Sequence, residues 1–287
     1  MTGRLGLGLS KSSPADPRLV SRPRPTPPPL CRPRLPQAPL QPIGNAHALS
    51  LFGLAHFEQL VNAELDTRAL LGWADGLVVV GFRGTASRTN VLTDVKAWQV
   101  VHAPRRLHGG SLVKVHAGFY EAWTRGGYGE RLMAKLQEIV DGFSPGSGLR
   151  FLLTGHSLGG ALAALAAHAI AARYRGSTIS VYSFGAPRLG NRAWKAEYLA
   201  AVPDTWEILH DQDPIPRVPA HGHRSGRRVI VNTRGDVTVR PSFFELSVIN
   251  RSGGVAAHHR MRMYALALAC VMKAQVLLQR SLGEIMG

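Results

Sequence analysis

A serine between two glycines, in the segment Gly155-x-Ser157-x-Gly159, is the feature of this sequence with the clearest chemical potential. The apolar run before it, LRFLLT, predicts a strand, and the Ala- and Leu-rich run from Leu158 to about Arg173 predicts a helix. A serine at such a sharp junction is held in strained backbone, so that its hydroxyl projects from the end of the sheet. Side chains two residues before and after it would clash, which explains the glycines. The pattern predicts a nucleophile elbow with Ser157 as the nucleophile.

The same junction would also stabilise a negatively charged oxygen. The backbone amide of Leu158, directly after the serine, is predicted to point toward a developing oxyanion, and the helix N-terminus adds positive partial charge there. The alternative is a tight turn in which Ser157 merely caps the helix.

A serine nucleophile needs a base, and the base needs an orienting carboxylate. In elbow folds these residues follow in the order Ser, Asp or Glu, His. The stretch WEILHDQDPIPRVP places Asp213 just after a predicted strand, in a loop stiffened by Pro214 and Pro216. Asp213 is therefore the predicted acid, and Asp211, two residues earlier, is the alternative.

Four histidines follow the predicted acid. His221 and His223 lie in HGHRSGRR, a polar turn that predicts solvated side chains. His258 and His259 lie where a Gly-containing loop enters the last predicted helix, a position that suits a base over the sheet edge. The residue pattern does not decide between His258 and His259 as the base.

The elements that would position these residues alternate between strand and helix. This alternation predicts an α/β fold with a mostly parallel sheet flanked by helices. Asp75-Gly76 predicts a hairpin turn between two strands, and RRVIVN with VTVRP predicts a late hairpin. Helices are predicted over AHALSLFGLAHFEQLVN, from Tyr120 to Val140, near Asn191 to Ala200, and from about His259 to Arg280.

Residues 1–45 differ in composition from residues 46–287. The first 46 residues carry seven basic groups and one acid, a net charge of +6, which leaves +10 of the total +16 for the remainder. The Pro- and Arg-rich stretch RPRPTPPPLCRPRLPQAPLQP cannot bury a core, so a disordered tail without a part in the chemistry is predicted. A targeting role and a polyproline ligand for a partner protein are the alternatives.

Several classes of protein and of partner are disfavoured. No apolar run approaches the roughly 20 residues needed to span a bilayer. No zinc-finger spacing or interleaving of basic and aromatic residues occurs, so specific nucleic-acid binding is not expected. A disulfide between Cys31 and Cys270 is not expected, and a cytoplasmic location is favoured over secretion. The basic charge favours peripheral contact with an anionic membrane surface. Nothing in the sequence indicates an oligomeric state.

Seven segments in order resemble the class 3 lipases, a family of α/β-hydrolases that includes the filamentous-fungal triacylglycerol lipases. They are VVVGFRGT (78–85), TNVLTDV (89–95), VHAGFYEAW (115–123), TGHSLGGALAAL (154–165), YSFGAPRLGN (182–191), DPIPRVP (213–219) and HRMRMY (259–264). The resemblance covers most of residues 47–270 and none of the tail.

The resemblance implies an α/β-hydrolase fold and a triad of Ser157, Asp213 and His259, since the H-x-M-x-x-Y pattern selects His259 over His258. It also implies that Thr85 is the first oxyanion donor and Leu158 the second. The resemblance further implies that Asp94 supports the oxyanion residue. The alternative is that Asp94 is a surface carboxylate without this role.

The sequence also departs from the fungal pattern in two respects. The aromatic that follows Asn90 in the fungal lid is replaced by Val91, which predicts a different or shorter lid between Ser87 and Leu107. The disulfides of the secreted fungal members are absent.

The implied activity is hydrolysis of a lipid carboxylic ester through an acyl-enzyme, without a metal or organic cofactor. A phospholipase A1 or an esterase for non-lipid esters is the alternative within the same chemistry. A catalytically inactive scaffold, whose tail recruits a partner, is the alternative from another class.

Overall fold

The computed structural model describes residues 53–83, 99–106, 112–249 and 256–286. Within these ranges the strands are β1 (His56–Asn62), β2 (Thr67–Ala74), β3 (Leu77–Arg83), β4 (Gln99–Arg106), β5 (Leu112–His116), β6 (Arg150–His156), β7 (Thr178–Phe184), β8 (Asp204–His210), β9 (Arg227–Val231) and β10 (Val237–Val239). The α-helices are α1 (Ala117–Thr124), α2 (Tyr128–Asp141), α3 (Leu158–Arg173), α4 (Arg192–Ala201), α5 (Phe243–Ile249) and α6 (Met261–Met286). The tail predicted for residues 1–45 lies outside the described residues.

A mostly parallel sheet forms the centre of the described chain. Eight of the described strands lie side by side in the order β1-β2-β3-β6-β7-β8-β9-β10. The pairs from β3 to β9 are parallel, whereas β1 with β2, β2 with β3 and β9 with β10 are antiparallel. The predicted α/β class and both predicted hairpins are confirmed. The carboxyl ends of β6, β7 and β8 therefore meet at one edge of the sheet.

Two helices cover the faces of this sheet. Because side chains alternate along a strand, Thr205 and Glu207 of β8 face one side, and Trp206 and Ile208 face the other. Helix α3 packs on the first side and is buried over nearly its whole length, since its alanines let it approach β6 and β7 closely. Helix α6 packs on the second side, where Tyr264, Ala267 and Val271 contact the apolar side chains of β8 and β9.

The helix predicted around residues 46–62 is wrong over its described part. Residues His56–Asn62 form strand β1, which pairs with β2 from His56 opposite Trp73 to Asn62 opposite Thr67. The apolar spacing of Phe57, Leu60 and Val61 fits a helix as well as a strand. Pairing with β2 supplies the backbone hydrogen bonds, and tertiary context of this kind overrides a weak local preference.

The single helix predicted from Tyr120 to Val140 is divided into α1 and α2. The break lies at Gly126 and Gly127, whose φ angles are +60° and +63°. Glycine adopts positive φ without a steric penalty, whereas other residues do so rarely. The Gly-Gly pair was the signal for this break.

The region expected to form a lid is only partly described. Residues Gln99–Arg106 form β4, which pairs antiparallel with β5 in a two-stranded sheet. Thr85, Val91 and Asp94 lie outside the described residues. No helix of the described chain is long and apolar enough to cross a membrane.

Candidate active site

Ser157 lies in a strained turn between β6 and α3. Its φ of 57° and ψ of −125° are a conformation that a residue with a side chain rarely adopts. Its amide donates to the carbonyl of Phe184 at the end of β7, 2.9 Å away. This backbone bond ties the turn to the neighbouring strand, so that the Ser157 hydroxyl is held at the carboxyl end of the sheet.

The glycine before the turn, Gly155, is required because no side chain fits there. A Cβ on Gly155 would lie 2.3 Å from the carbonyl carbon and oxygen of Gly159, far inside van der Waals contact. A Cβ on Gly160 would lie 2.7 Å from that of Ala186. The chain therefore doubles back at the turn so tightly that backbone meets backbone.

His259 reaches the serine from the other end of the chain. It ends the short 3₁₀ turn Ala256–His259 that precedes α6, and its Nε2 lies 2.7 Å from Ser157 Oγ. Its ring lies against that of His156, with the centroids 4.6 Å apart. The imidazole is mostly buried, with 17% of its side chain exposed. A base in this place can take a proton from the serine without shifting.

Asp213 orients the histidine. Its Oδ2 lies 2.8 Å from His259 Nδ1, and its Oδ1 accepts a hydrogen bond of 2.8 Å from the amide of Ile215. A carboxylate can only accept, so Nδ1 of His259 carries the proton and Nε2 is left to accept from the Ser157 hydroxyl. The residue is 1% exposed, and its loop begins where β8 ends at His210.

Tyr264 is a third donor to Asp213 that the sequence reasoning did not assign. Its hydroxyl donates to Asp213 Oδ2 over 2.5 Å. Burial and the negative charge of Asp213 raise the pKa of Tyr264 well above its usual value, so the phenol stays protonated and remains a donor. The signal was its place as the last residue of the segment HRMRMY, on the first turn of α6.

Gly185 makes room for this acid. Its φ is +60°, and a Cβ on it would lie 2.7 Å from the Tyr264 hydroxyl and 3.0 Å from Asp213 Oδ2. The glycine after β7 therefore allows the tyrosine and the carboxylate to meet above the strand end. No pattern in the sequence predicts this role for Gly185.

Asp211 and His258, the alternative acid and base, contact other residues than Ser157 and His259. Asp211 Oδ1 lies 3.1 Å from Nδ1 of His210 and does not contact His259. The ring of His258 lies 4.7 Å from that of His210, and burial and the charge of His210 lower its pKa. The geometry thus brings together Ser157, His259 and Asp213 and leaves Asp211 and His258 beside them.

Leu158 occupies the place predicted for an oxyanion donor. It is the first residue of α3, and the first amides of a helix have no carbonyl partner within that helix. Its amide therefore lies next to Ser157 at the positive end of a 16-residue helix. Thr85 and Asp94, the other predicted members of this part of the site, lie outside the described residues.

Two histidines inside the resembling segments have other contacts. His116 precedes α1, where its Nδ1 accepts from the amide of Gly118 and its ring stacks on Phe119. His156 packs between His259 and Tyr264. Over the described ranges, no group of three or more His, Cys, Asp or Glu side chains could hold a metal ion.

Three features together define an α/β-hydrolase fold: the mostly parallel sheet, the strained serine turn between β6 and α3, and the hydrogen-bonded side chains of Ser157, His259 and Asp213. The family model for class 3 lipases matches residues 79–223, just over half of the chain. The chain therefore belongs to the class 3 lipase family.

The similar curated proteins agree with this assignment. The chloroplastic phospholipase A(1) DAD1 of Arabidopsis thaliana is 30% identical over 180 residues, covering 60% of this chain and 39% of the relative. The secreted mono- and diacylglycerol lipase 1 of Fusarium solani is 34% identical over 106 residues, covering 37% and 29%. The chain thus spans less than two fifths of the length of these relatives.

The fold is shared with a lipase from Rhizopus microsporus var. chinensis. The TM-score is 0.62 at 23% identity, and the match covers 75% of this chain and 76% of the other. The predicted α/β-hydrolase fold is confirmed.

The close approach at the turn makes Gly155 a sharp test of the elbow. We expect Gly155→Ala to lower the midpoint of thermal unfolding by several degrees, because the new Cβ must push the Gly159 backbone away. Gly148→Ala is the matched control, since a Cβ there meets nothing within 4 Å. Circular dichroism melting of both variants measures the difference. Equal melting of the two variants would contradict the tight turn.

Proposed function

We propose that this protein is a serine hydrolase that cleaves carboxylic esters of lipids through an acyl-enzyme. The observation that carries the proposal is the line of short contacts from Ser157 Oγ through both nitrogens of His259 to Asp213. Membership of the class 3 lipase family and the mono- and diacylglycerol lipase among the relatives support a lipid ester as the substrate.

In the proposed acylation, Ser157 Oγ attacks the ester carbonyl while His259 Nε2 takes the hydroxyl proton. The imidazolium that forms is stabilised by the buried Asp213 carboxylate, which Tyr264 and the Ile215 amide hold in place. The tetrahedral oxyanion accepts from Thr85, the first proposed donor, and from the Leu158 amide, the second. The intermediate then expels the alcohol, which takes its proton from His259.

In the proposed deacylation, a water molecule takes the place of the alcohol. His259 Nε2 takes a proton from this water as its oxygen attacks the acyl carbon. The second tetrahedral intermediate collapses, Ser157 Oγ leaves and recovers the proton, and the carboxylic acid departs. The imidazole thus serves each half-reaction once as a base and once as an acid, which requires its ring to stay in one orientation.

The second candidate, a phospholipase A1, uses the same chemistry with a charged substrate. It is favoured by the net charge of +10 carried by residues beyond 46 and by the phospholipase A(1) among the relatives. A basic surface would concentrate the enzyme on anionic lipid, so peripheral contact with such a surface is part of this candidate.

Replacement of the nucleophile tests the proposal directly. We expect Ser157→Ala to abolish both hydrolysis of p-nitrophenyl esters and covalent labelling by a fluorophosphonate probe, since no alternative hydroxyl occupies the elbow. Ser144→Ala is the control, because Ser144 is exposed and lies beside Asp75 at the opposite end of the sheet.

The outcomes of this test separate the candidate classes. Full labelling and full activity of Ser157→Ala would exclude the proposed nucleophile. A wild-type protein that folds but neither labels nor hydrolyses any ester of graded chain length would favour the inactive scaffold instead.

Neighbouring residues of the same type supply matched controls for the base and the acid. We expect His259→Ala to lower kcat/KM by at least about 10⁴-fold and Asp213→Asn by about 10⁴-fold. His258→Ala and Asp211→Asn should leave the rate nearly unchanged, since neither side chain contacts the Ser157–His259 pair. Steady-state rates on a soluble short-chain ester measure all four variants. A loss in His258→Ala that matches the loss in His259→Ala would contradict the assignment.

The substrate class is tested with vesicles. If the basic surface recruits the enzyme to phospholipid, the rate on phosphatidylglycerol vesicles should exceed that on phosphatidylcholine vesicles by at least about tenfold at low salt. The reason is that each basic residue near an anionic surface contributes about 1 kcal/mol. High salt should remove the difference, because it screens surface charge, while the rate on a monomeric ester stays constant. A vesicle rate indifferent to salt would exclude recruitment by charge.

A further inference from the structure

A second cluster of polar side chains lies beside the loop of Asp213 and has no part in the proposed reaction. A pocket of about 120 Å³ there is lined by four arginines: Arg188, Arg217, Arg224 and Arg228. We call it the arginine pocket. Since a water molecule occupies about 30 Å³ in the liquid, this volume suits a small oxyanion with a few waters.

The four arginines come from separate parts of the chain. Arg188 follows β7, Arg217 ends the 3₁₀ turn Ile215–Arg217, Arg224 lies in the loop before β9, and Arg228 lies within β9. Each is only partly exposed. The fold therefore gathers four guanidinium groups into one concave place, which an even distribution of surface charge would not do.

Three of the arginines have protein acceptors. Arg188 Nη1 donates to the Ala220 carbonyl over 2.5 Å, and Arg217 Nη2 donates to the Asp211 carbonyl over 2.8 Å. The third forms an ion pair, in which Arg224 Nη1 lies 3.1 Å from Glu207 Oε2. Backbone carbonyls are neutral, so among these three only Arg224 has its charge balanced by a carboxylate.

Arg228 is the group left over. Its partner in the register of β8 and β9 is Glu207, whose charge attracts it. Within the described residues, however, the Arg228 side chain itself has neither a hydrogen bond nor an ion pair at contact distance, although it is partly buried near the start of β9. Three carboxylates lie nearby, and each has other partners. Asp211, which lines the arginine pocket, has its Oδ1 3.1 Å from His210 Nδ1. Glu207 Oε1 accepts from the amides of Ser225 and Gly226, and Asp213 accepts from three donors of the proposed active site.

The arginines also disfavour one another's charge. Burial, followed by the charges of Arg224 and Arg228, lowers the pKa of Arg188. Burial and the charge of Arg224 likewise lower the pKa of Arg228. The charge of Glu207 opposes both shifts but does not cancel them. Arginine stays charged in proteins, so the remaining repulsion costs stability unless a further anion enters.

We propose that the arginine pocket binds a phosphate-type oxyanion, with Arg228 as its principal ligand. The planar guanidinium donates two parallel hydrogen bonds to such an anion, which makes arginine the preferred residue for phosphate. The phosphate could belong to a free ion or to a lipid headgroup, which share this chemistry. The site does not depend on the proposed hydrolysis, and it can exist whether or not Ser157 reacts.

Exposed aromatic side chains lie on a helix that borders the arginine pocket, which favours a lipid headgroup as one source of the phosphate. Leu246 of α5 lines the arginine pocket, and the same helix carries Phe243 and Phe244 with 89% and 76% of their areas exposed. Exposed aromatic side chains of this kind insert readily at a lipid interface.

The experiment compares the wild type with Arg228→Gln and with the control Arg175→Gln. Arg175 is exposed outside the pocket, so both variants lose one positive charge. Thermal unfolding is measured in sodium phosphate and in sodium chloride of equal ionic strength. Phosphate at a tenfold excess over its Kd should raise the Tm of the wild type and of Arg175→Gln by about 3–5 °C. Arg228→Gln should show no phosphate effect.

The same variants distinguish an anion site from a merely structural arginine. In chloride, Arg228→Gln should melt no lower than the wild type, because it removes one of several mutually repelling charges. A Tm in chloride that falls by several degrees, or a phosphate effect equal in all three proteins, would overturn the proposal. Arg228→Lys, which keeps the charge but not the paired donors, should retain only part of the phosphate effect.

Vesicle co-sedimentation identifies the source of the phosphate. Vesicles of phosphatidylglycerol, whose headgroup carries a phosphate, are compared with vesicles containing an anionic lipid that has a carboxylate and no phosphate. If binding to phosphatidylglycerol alone falls for Arg228→Gln relative to Arg175→Gln, the ligand is a headgroup. If the phosphate effect on Tm is present but both variants bind both vesicles equally, the ligand is the free ion. Neither outcome depends on ester hydrolysis, so failure here leaves the proposed function untouched.

Discussion

The burial of one carboxylate is the constraint on which the rest of the site depends. Asp213 is 1% exposed, and an ionised group removed from water in this way is unstable unless donors surround it. Three donors do so, from the Ile215 amide, the His259 ring and the Tyr264 hydroxyl. Each donor depends on a different element. The Ile215 amide needs the proline-stiffened loop, the His259 ring needs the chain segment that returns over the sheet edge, and the Tyr264 hydroxyl needs the final helix packed on the sheet. The charge thus fixes the positions of elements that are distant in sequence.

The serine is subject to a different constraint, which is steric. Its strained φ persists because Gly155, Gly159 and the Phe184 carbonyl leave the backbone no other path between β6 and α3. The energetic cost of this turn is offset by the packing of α3, which is buried along most of its length against the sheet. An alanine-rich helix serves here because small side chains bring its first turn, and hence the Leu158 amide, close to the strand ends.

The sequence predicted the centre of the fold well, because strong local patterns determine it. Helix α3 has the predicted bounds, since its Ala/Leu-rich run follows an unambiguous turn. Strand β1 was mistaken for a helix because its identity comes from pairing with β2, which no local pattern shows. For the candidate site, the sequence pattern favoured Asp213 over Asp211 as the acid. It could not choose between His258 and His259 as the base. Tyr264 and Gly185 had no assigned role, because their contacts with Asp213 exist only once three segments have been brought together.

Tyr264 belongs at once to the apolar contact between α6 and the sheet and to the surroundings of Asp213. The docking of the last helix therefore also places the Tyr264 donor against Asp213, and the turn that carries His259 leads into the same helix. During synthesis, a chain that has already built β6, α3 and β8 possesses Ser157 and Asp213 yet lacks the ring that connects them. Under the proposed function, such a nascent chain would not hydrolyse esters until its final helix had emerged and packed on the sheet. An opening of that helix in the finished molecule would remove the proposed activity again.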